Sequence, residues 1–304
     1  SRFLVRTERA RVLVDCGLFQ GAKELRLRNW APFPIPPREL DAVVLTHAHI
    51  DHAGFVPRLV AEGFRGPVFA TRGTEALCGV VLPDSGRLHE EDASIANAEG
   101  WSKHAPALPL YTREDAERCL KQFVPRPYGT PWSPVPGLQA RMDPSGHMLG
   151  SAFVKIDNGR RSILFSGDIG RPNDLVLVAP ARVPGADYAV VESTYGDRNH
   201  KNLAQTLDEF AFALTDTLAS KRGNVVIPSF AVGRTQEILY YIAELTRRID
   251  AIGRRFASLL DEPVDHLQLD SQDVDAIRDK LADYVPGAEI VDLLVTSIKM
   301  PPEI

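Results

Sequence analysis

Three histidines and one aspartate fall within the six-residue segment 47–52, at His47, His49, Asp51 and His52. The segment directly follows residues 41–46, a β-branched apolar run that is typical of a buried strand. Four such side chains on one tight loop serve no packing purpose, and unpaired they would lower stability. Imidazole and carboxylate groups at this density suit zinc, with manganese or iron as alternatives. The segment therefore predicts a metal site.

One loop cannot easily surround two metal ions, so further ligands are expected at the ends of later strands. His147 lies in the segment 145–151 between two predicted strands, and Asp168 lies in the segment 165–170 after the next strand. Glycines in both segments allow the backbone to turn tightly beside a ligand. Either segment alone would be interpreted as an ordinary glycine-containing turn. Together with the histidine cluster, both are predicted to supply metal ligands.

The elements that would position these residues follow from apolar periodicity and turn residues. Residues 55–62 and 73–97 are predicted helices, the second interrupted at Pro83 and Gly86, and Thr112 with Asp115 is typical of a capping box that begins a helix. Alternation of strands and helices favours sheets inside and helices outside. The other strands are predicted at 3–5, 11–14, 67–70, 138–142, 152–156, 162–165, 188–191, 224–228 and 290–297, and the other helices at 203–218, 235–249 and 271–283.

The composition is that of a globular protein of ordinary type, with 304 residues, 44% hydrophobic and 25% charged. The net charge of the chain is −5, so it lacks the excess of basic residues that is common in nucleic-acid-binding proteins. A local basic groove is still compatible with this net charge. No apolar run is long enough for a membrane span. Cys16, Cys78 and Cys119 form no metal-spaced pair and favour a reduced, cytoplasmic compartment over a disulfide framework.

Residues 46–54, 145–152 and 166–170 resemble the signature motifs of the metallo-β-lactamase superfamily. Residues 12–17 resemble its first motif, whose aspartate is mainly structural. Residues 191–198 and 227–237 are similar to motifs of the β-CASP branch, a group of nucleic-acid-processing nucleases. The resemblance covers roughly residues 1–245. It implies an α/β fold, with a metallo-β-lactamase αββα sandwich at 1–195, a partial β-CASP cap at 196–249 and a divergent tail at 250–304.

The same resemblance implies a centre for two Zn²⁺ ions, with Mn²⁺ or Fe as alternatives. Asp51, Asp168 and Glu192 would be catalytic, with Glu192 hydrogen-bonding a ligating histidine. A capping or surface role for Glu192 stays open. Arg234 would bind a substrate phosphate, and a surface role is equally open. The implied ligands are His47, His49 and His147 for one metal, Asp51 and His52 for the other, and Asp168 as the bridge.

The resemblance implies an endoribonuclease that cleaves RNA phosphodiester bonds by a metal-activated hydroxide. RNA is then the expected partner, and no membrane association is expected. Assembly of the chain into a homo-oligomer is compatible with this activity. A DNA nuclease or a small-ester hydrolase on the same metal site is one alternative. A catalytically impaired remnant that binds metal or RNA is another, because the family's late histidine motifs are not found. His266 is the only histidine after His200, and its context resembles neither motif.

Overall fold

Two β-sheets carry the histidine cluster and the later ligand segments. The computed structural model describes residues 1–183, 185–197 and 202–248. The chain divides into two compact units, Ser1–Ser193 and Thr194–Ile304, and both sheets belong to the first. The first sheet has the strand order β1-β2-β3-β4-β5. Its strands are β1 (Phe3–Arg6), β2 (Arg11–Val14), β3 (Ala42–Val44), β4 (Val68–Ala70) and β5 (Phe123–Pro125).

In the first sheet, β1 is antiparallel to β2, and β2 to β5 run parallel to one another. The carboxyl ends of β2 to β5 therefore meet at one edge. The second sheet has the order β6-β7-β8-β9, antiparallel except for the parallel pair β8 and β9. Its strands are β6 (Gln139–Pro144), β7 (Ala152–Asp157), β8 (Ser162–Phe165) and β9 (Tyr188–Val190).

The two sheets share one buried apolar core. Side chains alternate between the two faces of a strand, so Val12 and Val14 point towards the second sheet. Leu13 between them is also buried, because helices cover the other face of the first sheet. This arrangement confirms the predicted α/β sandwich. The core side chains include Val12, Val14, Ala42, Val44, Phe69, Met142, Ala152, Val154, Ile156 and Phe165.

The helices of the first unit are α1 (Lys23–Leu27), α2 (Ile50–Ala53), α3 (Val56–Ala61), α4 (Arg72–Glu99) and α5 (Arg113–Leu120), with a 3₁₀ turn at Pro37–Glu39. The predicted interruption of α4 is wrong, since Pro83 and Gly86 lie inside one continuous helix. A Cβ on Gly86 would lie 2.7 Å from the backbone of Thr112 and Arg113. Gly86 therefore permits close packing of α4 against the start of α5, and this packing outweighs the local propensity of Pro83.

The predicted capping box of α5 is confirmed. Thr112 Oγ1 accepts from the backbone N–H of Asp115 at 3.1 Å, and the Thr112 N–H donates to Asp115 Oδ2 at 3.0 Å. Thr112→Ala is expected to lower the free energy of unfolding by about 1 kcal/mol, because it leaves a helix N–H without its acceptor. Urea denaturation would measure this loss. Thr112→Ser retains the hydroxyl and should remain close to wild type, and an equal loss in both variants would contradict the assignment.

The second unit contains α6 (Leu203–Thr215), a π-helical turn at Asp216–Ser220 and α7 (Arg234–Arg248). Leu214, Leu218 and Leu245 form its small buried core. The strand predicted at 224–228 is wrong: among the described residues no strand pairs with this segment, so it has no sheet to join. The predicted tail at 250–304, with His266, lies outside the described residues, as does His200.

Within the described ranges, no helix combines the length and apolar character that a membrane span requires. Cys16, Cys78 and Cys119 are all buried as free thiols. Burial raises the pKa of the Cys16 thiol to about 12, so this group stays protonated at neutral pH. The cysteines therefore behave as small apolar side chains of the core.

Candidate metal centre

Three loops at one end of the sandwich bring the predicted ligands together. The first loop follows β3 and carries His47 and His49, with Asp51 and His52 on α2 directly after it. The second loop joins β6 to β7 with His147, and the third follows β8 with Asp168. Backbone hydrogen bonds connect the loops: the Ala152 N–H donates to Thr46 O at 2.8 Å, and the Gly170 N–H donates to Ser145 O at 2.9 Å. The loops therefore hold one another in position.

Four side chains converge on a first ligand set. His49 Nδ1 lies 3.1 Å from His47 Nε2 and 3.1 Å from His147 Nε2. Asp168 Oδ2 lies 3.7 Å from His47 Nε2 and 3.4 Å from His147 Nε2. One ligand atom from each residue lies within 4.8 Å of all the others, so the set can hold a metal ion.

The second carboxylate oxygen of Asp168 faces another pair of side chains. Asp168 Oδ1 lies 3.2 Å from His52 Nε2, and Asp51 Oδ2 lies 3.4 Å from the same nitrogen. Asp168 thus presents one oxygen to His47 and His147 and the other to His52. The geometry is compatible with the bridging role that the resemblance implies for Asp168, and that role stays a prediction.

These separations fit zinc coordination. Zinc bound tetrahedrally at about 2.0–2.1 Å from nitrogen and oxygen ligands requires neighbouring ligand atoms roughly 3.3 Å apart. Four of the six separations in the first set lie on both sides of that value, from 3.1 to 3.7 Å, and every pair lies within 4.8 Å. Three imidazoles and one carboxylate are a donor set that zinc accepts. The residues therefore fit the metal that the sequence predicts.

Asp15 holds His52 in place from behind. It is 1% exposed, and its Oδ2 lies 2.7 Å from His52 Nδ1. Asp15 Oδ1 accepts from the Thr46 N–H at 2.8 Å, and Thr46 Oγ1 donates to both carboxylate oxygens. Because His52 Nδ1 is used in this hydrogen bond, Nε2 is left to face the centre. The mainly structural role that the motif implies for Asp15 includes the orientation of a ligand.

Thr46 and Ser151 are positioning residues that sequence reasoning did not single out, although both lie inside the motifs that resemble the superfamily. Thr46 Oγ1 lies 3.0 Å from His47 Nδ1, which leaves His47 Nε2 for the centre. Ser151 Oγ accepts from the backbone N–H groups of His147 and Met148 at 3.0 and 3.1 Å. Short polar side chains within ligand-bearing motifs are the signal that could have identified them.

Glycines make the close approach of the loops possible. A Cβ on Gly170 would lie 1.7 Å from Gly146 O, and a Cβ on Gly17 would lie 1.6 Å from Asp51 O. Gly167 has a φ of 53°, and a Cβ there would lie 2.7 Å from Thr46 Cβ. Any larger residue would push the ligand loops apart.

The electrostatics of the centre suit a cation. Burial, together with the neighbouring histidines, lowers the pKa of His47 well below its usual value, and burial also lowers the pKa of His147. Burial alone would lower the pKa of His52, but hydrogen bonds to Asp15, Asp168 and Asp51 raise it to about 11. His47 and His147 are therefore neutral at pH 7, as ligands must be. His52 carries a proton at pH 7 when no metal is bound, and a cation bound beside the same carboxylates would take the place of that proton.

Glu192 and Arg234 occupy different surroundings. Glu192 Oε1 accepts from the Ile169 N–H at 3.1 Å, so this carboxylate holds the backbone directly after Asp168. Burial lowers the pKa of His147, and the negative charge of Glu192 offsets a part of this lowering because it favours the protonated imidazole. Arg234 begins α7 in the second unit and pairs with Glu237 at 2.6 Å. The catalytic role of Glu192 and the phosphate-binding role of Arg234 stay predictions.

Comparison with known proteins gives the class of the chain. Residues 3–65 match the family profile described as the metallo-beta-lactamase superfamily. Ribonuclease TTHA0252 of Thermus thermophilus is 43% identical over 232 residues, covering 76% of this chain and 49% of that protein. Transcription termination factor FttA of Methanococcus maripaludis is 32% identical over 246 residues, covering 78% of this chain and 36% of that protein.

The chain therefore carries a metallo-β-lactamase superfamily domain, which confirms the superfamily that the motifs resemble. The segment that aligns with the ribonuclease is 232 residues long, which is more than the first unit, Ser1–Ser193, contains. The similarity therefore continues into the second unit. The chain spans about half the length of that ribonuclease. Zn²⁺-bound PqqB from Methylobacterium extorquens has a TM-score of 0.37 at 16% identity, covering 62% of this chain and 58% of that chain, and is too distant for further argument.

Proposed function

We propose that this chain is the metal-binding part of a β-CASP endoribonuclease that hydrolyses RNA phosphodiester bonds. The observation that carries the proposal is the position of Asp168, whose two oxygens face the two sets of ligands. His47, His49, His147 and Asp168 Oδ2 would hold one Zn²⁺ ion. Asp51, His52 and Asp168 Oδ1 would hold a second. The names of the two relatives, a ribonuclease and a transcription termination factor, support RNA as the substrate.

Two bound divalent cations would lower the pKa of a water molecule and neutralise the charge that develops on the phosphoryl oxygens. The residues of the chain supply the geometry. Asp15 fixes the ring of His52, and Glu192 fixes the backbone that carries Asp168. The Asp51 side chain is 49% exposed and can therefore face both the centre and a substrate. Hydrogen bonding to His52 lowers its pKa to about 2 although burial would raise it, so it remains ionised at neutral pH.

The second unit is proposed to act as part of a cap that selects extended nucleic-acid substrates. The cap predicted from the sequence at residues 196–249 lies within this unit, Thr194–Ile304. The exposed ion pair between Arg234 and Glu237 is of a kind that contributes little stability. Arg234 can therefore exchange this partner for a substrate phosphate, which its guanidinium can bind in a bidentate manner. A small-ester hydrolase would have no use for such a cap.

Removal of the metal tests the proposal. Chelation of the purified full chain is expected to lower the rate of single-stranded RNA cleavage by at least about 100-fold, because the centre would lose several kcal/mol of transition-state stabilisation. Stoichiometric Zn²⁺ should restore the rate, with Mn²⁺ and Fe²⁺ measured in parallel. Full RNA cleavage by protein shown to be free of metal would contradict the proposal.

Two further substrates separate the alternatives. Single-stranded DNA of the same sequence and a p-nitrophenyl ester are offered to the same zinc-loaded protein. Faster turnover of the DNA or the ester than of RNA would favour a DNA nuclease or a small-ester hydrolase on the same metal site. Tight zinc binding without hydrolysis of any of the three substrates would favour a catalytically impaired remnant.

A further inference from the structure

A basic loop, residues 19–30, follows β2 in the first unit and includes the short helix α1 at Lys23–Leu27. Residues 19–30 carry Lys23, Arg26 and Arg28 against a single acidic residue, Glu24, in a chain whose net charge is −5. All three cations are exposed. Among the residues that the structure describes, none of the three forms an ion pair with a carboxylate. Their charges are therefore available to an external anion.

The loop begins against the helix that carries two of the ligands. The Cys16 N–H donates to His52 O at 2.7 Å, and the Leu18 N–H donates to Ile50 O at 2.9 Å. Gly17 lies so close to Asp51 that a Cβ would clash with its carbonyl oxygen. The base of the loop is thus attached to the side of the centre formed by Asp51 and His52.

The two ends of the loop are closed by one buried side chain. Asn29 is 7% exposed, its Oδ1 accepts from the Phe19 N–H at 2.9 Å, and its Nδ2 donates to Phe19 O at 2.8 Å. Farther along the chain, the ring of Phe33 stacks on Phe55 with centroids 5.9 Å apart. Phe55 lies directly before α3 and two residues after α2. The loop is therefore held in a defined position beside the ligand-bearing helix.

An aromatic side chain completes the surface of the loop. Trp30 follows the Asn29 clamp and is 51% exposed, so its ring is accessible to a base. Arg28 lies over the ring of Phe19, with its guanidinium carbon 5.8 Å from the centroid, so its stem is supported as well. Proteins bind single-stranded nucleic acid through two such features. Cations contact the phosphate backbone, and an exposed aromatic ring stacks on a base.

We infer that Lys23, Arg26, Arg28 and Trp30 form a binding surface for single-stranded RNA, which guides the strand to the Asp51 and His52 side of the centre. The inference rests on the proposed function for the identity of the strand as RNA. The cations contact phosphates and Trp30 stacks on a base. The surface supplies affinity and position, and the reacting groups remain those of the metal centre.

Binding without turnover tests the inference. Fluorescence anisotropy of a labelled single-stranded RNA is measured with the full chain carrying Asp168→Ala, which separates binding from cleavage. Adding Arg26→Gln and Arg28→Gln is expected to weaken binding about tenfold at low salt and to reduce the slope of log affinity against log salt by about 1.4, since each phosphate contact on a single strand contributes about 0.7.

Arg6→Gln with Arg9→Gln provides the matched control. This pair removes the same charge, but it lies at the β1–β2 turn, at the sheet edge opposite the carboxyl end of β2. Wild-type affinity and slope are expected for the control. Equal losses in the two double variants would overturn the inference, because they would reflect net charge alone. Undiminished binding by the Arg26 and Arg28 variant would also overturn it.

Tryptophan fluorescence provides an independent measurement. RNA is expected to quench the emission of the full chain, and Trp30→Phe should remove most of the quenching, whereas Trp101→Phe should leave it. Quenching that survives Trp30→Phe would contradict stacking on Trp30. Because no cleavage is required, a chain that binds RNA on this loop but hydrolyses none would refute the proposed function and leave the loop assignment supported.

Discussion

Asp168→Ala is expected to lower the rate of RNA cleavage by about 100- to 1000-fold, since a change of several kcal/mol in transition-state stabilisation corresponds to two or three factors of ten. Asp168 presents one oxygen to His147 at 3.4 Å and the other to His52 at 3.2 Å. Its removal takes a ligand from both sets at once. Bound zinc, measured by mass spectrometry after dialysis, should therefore fall together with the rate.

Asp92→Ala is the control for this variant. Asp92 lies exposed on α4, so Asp92→Ala also removes one aspartate carboxylate from the chain but leaves the centre intact. Zinc content and cleavage should remain at the wild-type level. If Asp168→Ala retains both metals and most of its rate, the bridging assignment is wrong.

Asp15→Ala is expected to lower the free energy of unfolding by about 3–5 kcal/mol, the effect of removing one partner from a buried charged pair. The variant would leave the Thr46 N–H and His52 Nδ1 without their acceptor in a site that is 1% exposed. Alanine would also have to adopt a φ of 57°, which adds strain of about 1–2 kcal/mol. Urea denaturation in the presence of a chelator measures the effect without any contribution from bound metal.

Asp15→Asn separates the backbone from the charge. Asparagine tolerates a positive φ and can still accept a hydrogen bond from the Thr46 N–H. Its stability should therefore exceed that of Asp15→Ala. Its zinc affinity should still fall about 10- to 100-fold, the usual effect of losing a group that orients a ligand. Unchanged stability in Asp15→Ala would show that the buried hydrogen bonds have no structural role.

The residues that could hold a metal ion were predictable because the signal is local. Four metal-competent side chains in the segment 47–52, and the motifs around His147 and Asp168, required only residue type and spacing. The structure adds what depends on long-range geometry. His49 turns Nδ1 towards the other two imidazoles whereas His47 and His147 turn Nε2, a difference that the backbone of two loops determines.

Contacts between distant segments explain what the sequence did not reveal. The hydrogen bond between Asp15 and His52 joins residues 37 positions apart. Gly86 was interpreted as a helix interruption because its requirement, close contact with Thr112, comes from another helix. The basic loop around Arg26 has no sequence signal for a site, because its position beside the centre depends on the Asn29 clamp, which has no periodic signature.

The central claim is that one end of the sandwich holds two metal ions that share Asp168. Anomalous diffraction from crystals of the zinc-loaded full chain, collected above and below the zinc absorption edge, tests it most directly. Two peaks are predicted, one among His47, His49, His147 and Asp168, and the other among Asp51, His52 and Asp168. A single peak, or zinc bound away from Asp168, would contradict the two-metal centre.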